Sequence, residues 1–149
     1  MKKGITLLEV ILIVAAIAIL AGIITLALNP SKQLSETRNA QRAIDVKMIL
    51  DAVYQYDTDN NDFNFQNIPQ STDCLGMRTS EICKDGGSCD GLVDLSVITA
   101  GGKYLTSIPN DPMIASYNGT GYNIVKSING RITVCAPGAE YNNTISITK

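Results

Sequence analysis

From Ile5 to Leu28 the chain is almost wholly apolar, and this run constrains what the rest can fold into. Val, Ile, Leu and Ala fill every side of a helix drawn through it, so no water-facing stripe exists. A helix of that kind belongs in a membrane or at the centre of a bundle. At about 1.5 Å per residue it would be roughly 36 Å long, enough to cross a bilayer. Lys2 and Lys3 precede it, and by the positive-inside bias they hold that end in the cytoplasm, with the rest of the chain outside.

Glu9 is the one ionisable residue in the run. A carboxylate near the middle of a membrane helix costs on the order of 3 kcal/mol, less near one end, and usually has a partner. No cation lies in the same span. One would be created by cutting between Gly4 and Ile5, because the new α-amino group would sit within about one helical turn of Glu9. It would also be available to Glu9 of a neighbouring chain. Two plainer readings leave Glu9 without a role. One is a secretory signal cut near Ala16-Ile17-Ala18, for which the apolar run is long; the other is a simple single-pass anchor.

Lys3-Gly4-Ile5-Thr6-Leu7-Leu8-Glu9-Val10 resembles the processing motif of type IV prepilins and pseudopilins. The resemblance implies a membrane peptidase that cuts after Gly4 and methylates the new N-terminus at Ile5, where the family usually has phenylalanine. Glu9 matches the glutamate at the fifth mature position. The implied product is a structural subunit of a pilus-like filament. Its partners would be identical or homologous pilin subunits, the prepilin peptidase, an inner-membrane assembly platform, and membrane lipid before assembly. Two alternatives share the motif: a major-type pseudopilin of a type II secretion system, and a membrane-anchored minor pilin with a binding head. The implied location is the inner membrane, single-pass with the head outside, then a filament at the cell surface or in the periplasm.

Beyond Leu28 the pattern changes. Pro30 should kink or restart the helix, and Ser31 is available to cap a new one. Ala43, Val46, Ile49, Leu50 and Val53 fall at helical spacing as one apolar stripe. Glu36, Arg38, Arg42, Asp45, Lys47 and Asp51 then read as a solvated face, with charge pairing between subunits as an added role. Residues 1–4 are thus a leader, 5–28 a transmembrane and filament-core helix half, 29–57 an amphipathic half, and 58–149 a head. The two halves would make a spine roughly 75 Å long.

The polar run Asp57 to Asp62 ends that helix. Its D-x-D-x-N spacing resembles a calcium loop, but Asp62 stands where glycine belongs and Ile68 where the bidentate glutamate belongs, so it reads as a turn. Residues 63–110 look irregular, with Leu92 to Ile98 a short helix or strand. Ile108-Pro109-Asn110-Asp111-Pro112 resembles the Pro-x-Asp-Pro loop of major pseudopilins, near which those proteins bind calcium. Asp111 is therefore a calcium candidate, set against a turn stiffened by two prolines.

Tyr122 to Ile128 and Arg131 to Ala136 flank Asn129-Gly130, a strong short hairpin signal. Val125, Ile132, Val134 and Ala136 are expected on the face packed against the helix, with Ile145 and Ile147 in a third strand. The expected fold is α+β and type IV pilin-like: a long N-terminal helix with a small antiparallel sheet on its outer half.

The four cysteines, Cys74, Cys83, Cys89 and Cys135, read as two disulfides in an exported chain. Three connectivities are possible, and sequence does not choose among them. The tight Lys84 to Ser88 stretch suggests Cys83 with Cys89, leaving Cys74 for Cys135. The chain has no histidine and a formal net charge of −2. It lacks the commonest general base, a Walker loop and any spaced Cys/His metal set, so no enzyme constellation is found. No basic excess suggests a nucleic-acid partner.

Overall fold

The computed structural model describes residues 4–27, 29–60, 65, 68–76 and 78–149. Lys2, Lys3, Leu28, Asn61 and Asp62, which carried parts of the expectations above, lie outside the described residues. Contacts divide the chain into two units, Met1–Glu36 and Thr37–Lys149.

The first unit contains helix α1, Leu7–Ala27, and the start of α2, Pro30–Asn60. Thr6 caps α1, its hydroxyl accepting the Glu9 backbone N–H at 3.3 Å. Glu9 therefore occupies the third helical position of a Thr-x-x-Glu capping sequence, where an acidic side chain also complements the positive end of the helix. Helix α1 is long and apolar enough to cross a membrane over Leu7–Ile24. Over Leu7–Ile24 its large apolar side chains are exposed, from 46% at Val10 to 79% at Leu7.

The helix restarts at Pro30, as the proline suggests, but the cap is Asn29 rather than Ser31. Asn29 lies in the left-handed region at φ 35, where asparagine is tolerated better than most residues. Its side-chain oxygen accepts the Lys32 N–H at 3.3 Å. Pro30 fills the first helical position, where a missing N–H costs nothing.

The second unit is α+β. The sheet strands are β1 (Glu81–Cys83), β2 (Gly119–Lys126), β3 (Ile132–Cys135) and β4 (Ser146–Thr148). They are antiparallel in the order β1-β2-β3-β4. The third strand expected around Ile145 and Ile147 is β4; β1 was hidden in the segment read as irregular. Leu92 to Ile98 divides between the two forms considered, with Val93 bridging Ile82 and a four-residue helix α3 over Ser96–Thr99. Val46, Ile49, Leu50 and Val53 of α2 pack in one core with Ile82, Tyr122, Ile124, Ile132, Val134 and Ala136.

Two of the expected placements change. Val125 pairs with Thr133, which puts it on the opposite face from Ile132 and Val134, beside the Cys74–Cys135 disulfide. Ile124, opposite Val134, takes the core face instead. The period of two in a strand makes that exchange obligatory once register is set. Asn129-Gly130 does turn the hairpin, but as part of a three-residue loop. Gly130 N–H donates to Ser127 C=O at 3.0 Å, and Ser127 N–H to Arg131 C=O at 2.8 Å. Gly130 lies at φ 84 while Asn129 does not have a positive φ, the arrangement of a turn followed by a glycine bulge.

The disulfides are Cys74–Cys135 and Cys83–Cys89. The first ties the loop ahead of β1 to β3. The second closes a small loop in which Gly87 N–H donates to Lys84 C=O at 3.1 Å.

Candidate functional site

Two places carry the residues of interest. The first is the N-terminal segment. Gly4, Ile5 and Thr6 are exposed and precede the first turn of α1, so the Gly4–Ile5 peptide bond is not held in a helix. Glu9 is exposed one turn further on. Among these groups, Thr6 and Glu9 are linked by the cap described above.

The second is a buried polar network on α2, and it overturns part of the reading of that helix. The stripe facing the core includes Arg42, Asp45, Val46, Ile49, Leu50 and Val53, while Ala43 is exposed. Arg42 and Asp45 are in phase with the apolar residues, at helical intervals of three and four, instead of opposite them. The supposed solvated face is thus partly an inner face.

Arg42 has a side chain with 0% exposure, as does Asp111. Its Nε donates to Asp111 Oδ2 at 2.6 Å and its Nη2 to Asp111 Oδ1 at 3.0 Å, a bidentate pair. Its Nη1 donates to Asn39 Oδ1 at 3.0 Å and to Glu140 Oε2 at 2.9 Å. Arg38 holds both oxygens of Glu140, at 2.7 and 2.6 Å. Asn39 exchanges two hydrogen bonds with the Glu140 backbone, each 3.0 Å. One turn along, Asp45 accepts from the Tyr122 hydroxyl at 2.6 Å and from Gln41 at 2.8 Å. Arg38 and Arg42 balance Asp111 and Glu140 in charge, while the third carboxylate, buried Asp45, is held by the Tyr122 hydroxyl and the Gln41 amide.

Asp111 was a calcium candidate, and its carboxylate is already engaged. Besides Arg42, its Oδ1 accepts the N–H groups of Met113 and Ile114 at 2.8 and 3.0 Å. It closes the Asp111-Pro112 turn and neutralises Arg42; it is not directed toward an open cation site. Among the described residues no group of three His, Cys, Asp or Glu is placed to hold a metal. Burial by itself would raise the Asp111 carboxyl, but Arg42 and the two N–H groups outweigh it and hold it below the usual carboxylate range. Burial, then Asp45, pushes the Tyr122 hydroxyl well above its ordinary value.

Backbone close approach supports the same turn. Gly121 lies at φ 84, and a Cβ there would come within 2.7 Å of the Asp111 Cβ. Only glycine allows β2 to run this near the Asp111 turn. No family model matches the chain, and neither curated proteins nor solved structures gave a match. The network has its oxygens and guanidinium nitrogens committed to one another, so its chemistry is that of a clamp joining α2 to the loops at Asp111 and Glu140. The N-terminal segment, in contrast, presents an open backbone, a lone carboxylate and a bare apolar helix.

Proposed function

We propose that the chain is a structural subunit of a type IV pilus-like filament, made as a precursor, cut between Gly4 and Ile5 and methylated at Ile5. The observation that carries this reading is α1 itself: an all-round apolar helix, its side chains exposed over Leu7–Ile24, with one acid, Glu9, in its first turn. Such a surface needs lipid before assembly and other apolar helices afterwards. Peptidase recognition, a membrane assembly platform and a head outside the membrane belong to the same reading. The exposed, non-helical Gly4–Ile5 bond suits a protease, which binds its substrate extended.

Of the two alternatives, the type II secretion pseudopilin would place calcium in a loop following the Pro109-Asn110-Asp111-Pro112 region; the Asp111 carboxylate itself is committed to Arg42. The test is the N-terminus and location of the mature protein. A chain beginning with methylated Ile5, abundant in sheared surface fibres, is the expected result. A chain beginning at Met1 or near Ala18 refutes processing, and one confined to the envelope without fibres refutes the pilus.

A further inference from the structure

We propose that Asn142 accepts an N-linked saccharide once the head has folded. The sequence contains the triplets Asn29-Pro30-Ser31, Asn118-Gly119-Thr120 and Asn142-Asn143-Thr144. Each has asparagine two residues before serine or threonine, the pattern that asparagine-directed transferases read, provided the middle residue is not proline. Pro30 removes the first. The fold removes the second: Thr120 is 0% exposed, and its hydroxyl donates to Ile82 C=O at 3.0 Å inside the sheet. Asn118 is held through its own C=O, which accepts the Lys84 N–H at 2.8 Å.

The third triplet is presented differently. Asn142, Asn143 and Thr144 are all exposed. Tyr141 and Asn142 lie at φ 56 and 55, and Asn143 N–H donates to Glu140 C=O at 3.3 Å. Two successive positive φ values at the centre of a four-residue turn make a tip of the type I′ kind, in which asparagine is favoured. The turn is anchored from behind, because Glu140 is held by Arg38, Arg42 and Asn39. Asn142 therefore projects from a fixed base, and a bulky group there displaces nothing in the clamp.

The donor class is a saccharide linked through phosphate to a membrane lipid. Asn142 Nδ2 forms a bond to the anomeric carbon, the bond from that carbon to the phosphate oxygen breaks, and the lipid phosphate leaves with the electron pair. One amide proton passes to a base of the transferase. In the cell this rests on the head lying outside the membrane, as in the filament reading.

Peptide mapping of the mature protein, after reduction and tryptic digestion, separates the two surviving triplets, since Asn118 falls in Tyr104–Lys126 and Asn142 in Ile132–Lys149. The expected result is a saccharide mass on Ile132–Lys149 alone, lost in Asn142→Gln and in Thr144→Ala and kept in Asn118→Gln. An unmodified Ile132–Lys149 peptide, or saccharide on the Asn118 peptide instead, overturns the assignment. If external protease cannot reach the head in intact cells, the filament topology fails separately. The purified full chain, given an asparagine-directed oligosaccharyltransferase and its lipid-linked donor, then decides the matter: transfer to Asn142 upholds it and no transfer ends it.

Discussion

Replacing Arg42 with methionine keeps an unbranched stem and removes the guanidinium. Four hydrogen bonds go with it, two to Asp111 and one each to Asn39 and Glu140. Glu140 still has Arg38, but the Asp111 carboxylate keeps only the N–H groups of Met113 and Ile114. Leaving one member of a buried pair uncompensated costs about 3–5 kcal/mol, a large share of the roughly 5–15 kcal/mol that stabilises a typical domain. With a urea slope near 2 kcal/mol/M, the midpoint of the full chain in detergent should fall by about 2 M. The chain has six tyrosines and no tryptophan, so near-ultraviolet circular dichroism of buried Tyr122 is the probe.

Two companion variants test the pairing. Asp111→Asn retains the turn's acceptor but not its charge. In combination with Arg42→Met it should be less destabilising than the sum of the two single changes, because no buried charge is left alone. Arg38→Met, at a partly exposed pair, should lower the midpoint much less than Arg42→Met does. An Arg42→Met variant within about 1 kcal/mol of the parent protein, or strict additivity with Asp111→Asn, would show that the clamp contributes little.

The remaining predictions use other features. The Asp111 carboxyl is held below its ordinary value, so its stabilisation is present above the unfolded pKa of about 4 and is lost as pH falls through the lower folded value; acid titration of the urea midpoint should show this decline, and a flat profile down to pH 2 would contradict it. Removing Cys74–Cys135, which closes a separation of 61 residues, should cost about 4 kcal/mol in the chain-entropy model, against about 2 kcal/mol for the six-residue Cys83–Cys89 loop; equal losses in paired serine variants would refute that order. Glu9→Gln preserves a residue suited to the capping position and removes only the charge, so membrane insertion and a folded head should persist while sheared fibres become few or absent; wild-type fibre abundance would exclude charge pairing at Glu9.

What could be read in advance was local. The apolar run of α1, the restart at Pro30 and the turn at Asn129-Gly130 each declare themselves within a few residues. The face of α2 did not, because its partners are distant: Asp111 is 69 residues from Arg42, and Glu140 is 98. Neither partner lies in a periodic segment that would point toward the helix. Hydrophobicity alone then sorted Arg42 and Asp45 with the wet residues and Ala43 with the core.

A better signal was present in the phase. Arg42, Asp45, Val46, Ile49, Leu50 and Val53 follow one another at steps of three, one, three, one and three, which keeps them on one helical face. Ala43, three residues before Val46, sits at the edge of the same face, and only its observed exposure separates it from the core. A charge in phase with an apolar stripe must either interrupt burial or bring its own counter-charge into the interior, since an unpaired buried ion costs several kcal/mol. The acids that do so come from the loops, and Asp111 stands in a stretch that two prolines already hold in a turn. Val125 missed its face for a related reason: alternation within one strand leaves two choices, and only pairing with Thr133 selects between them. In both cases residue type was less informative than position relative to neighbours of known burial.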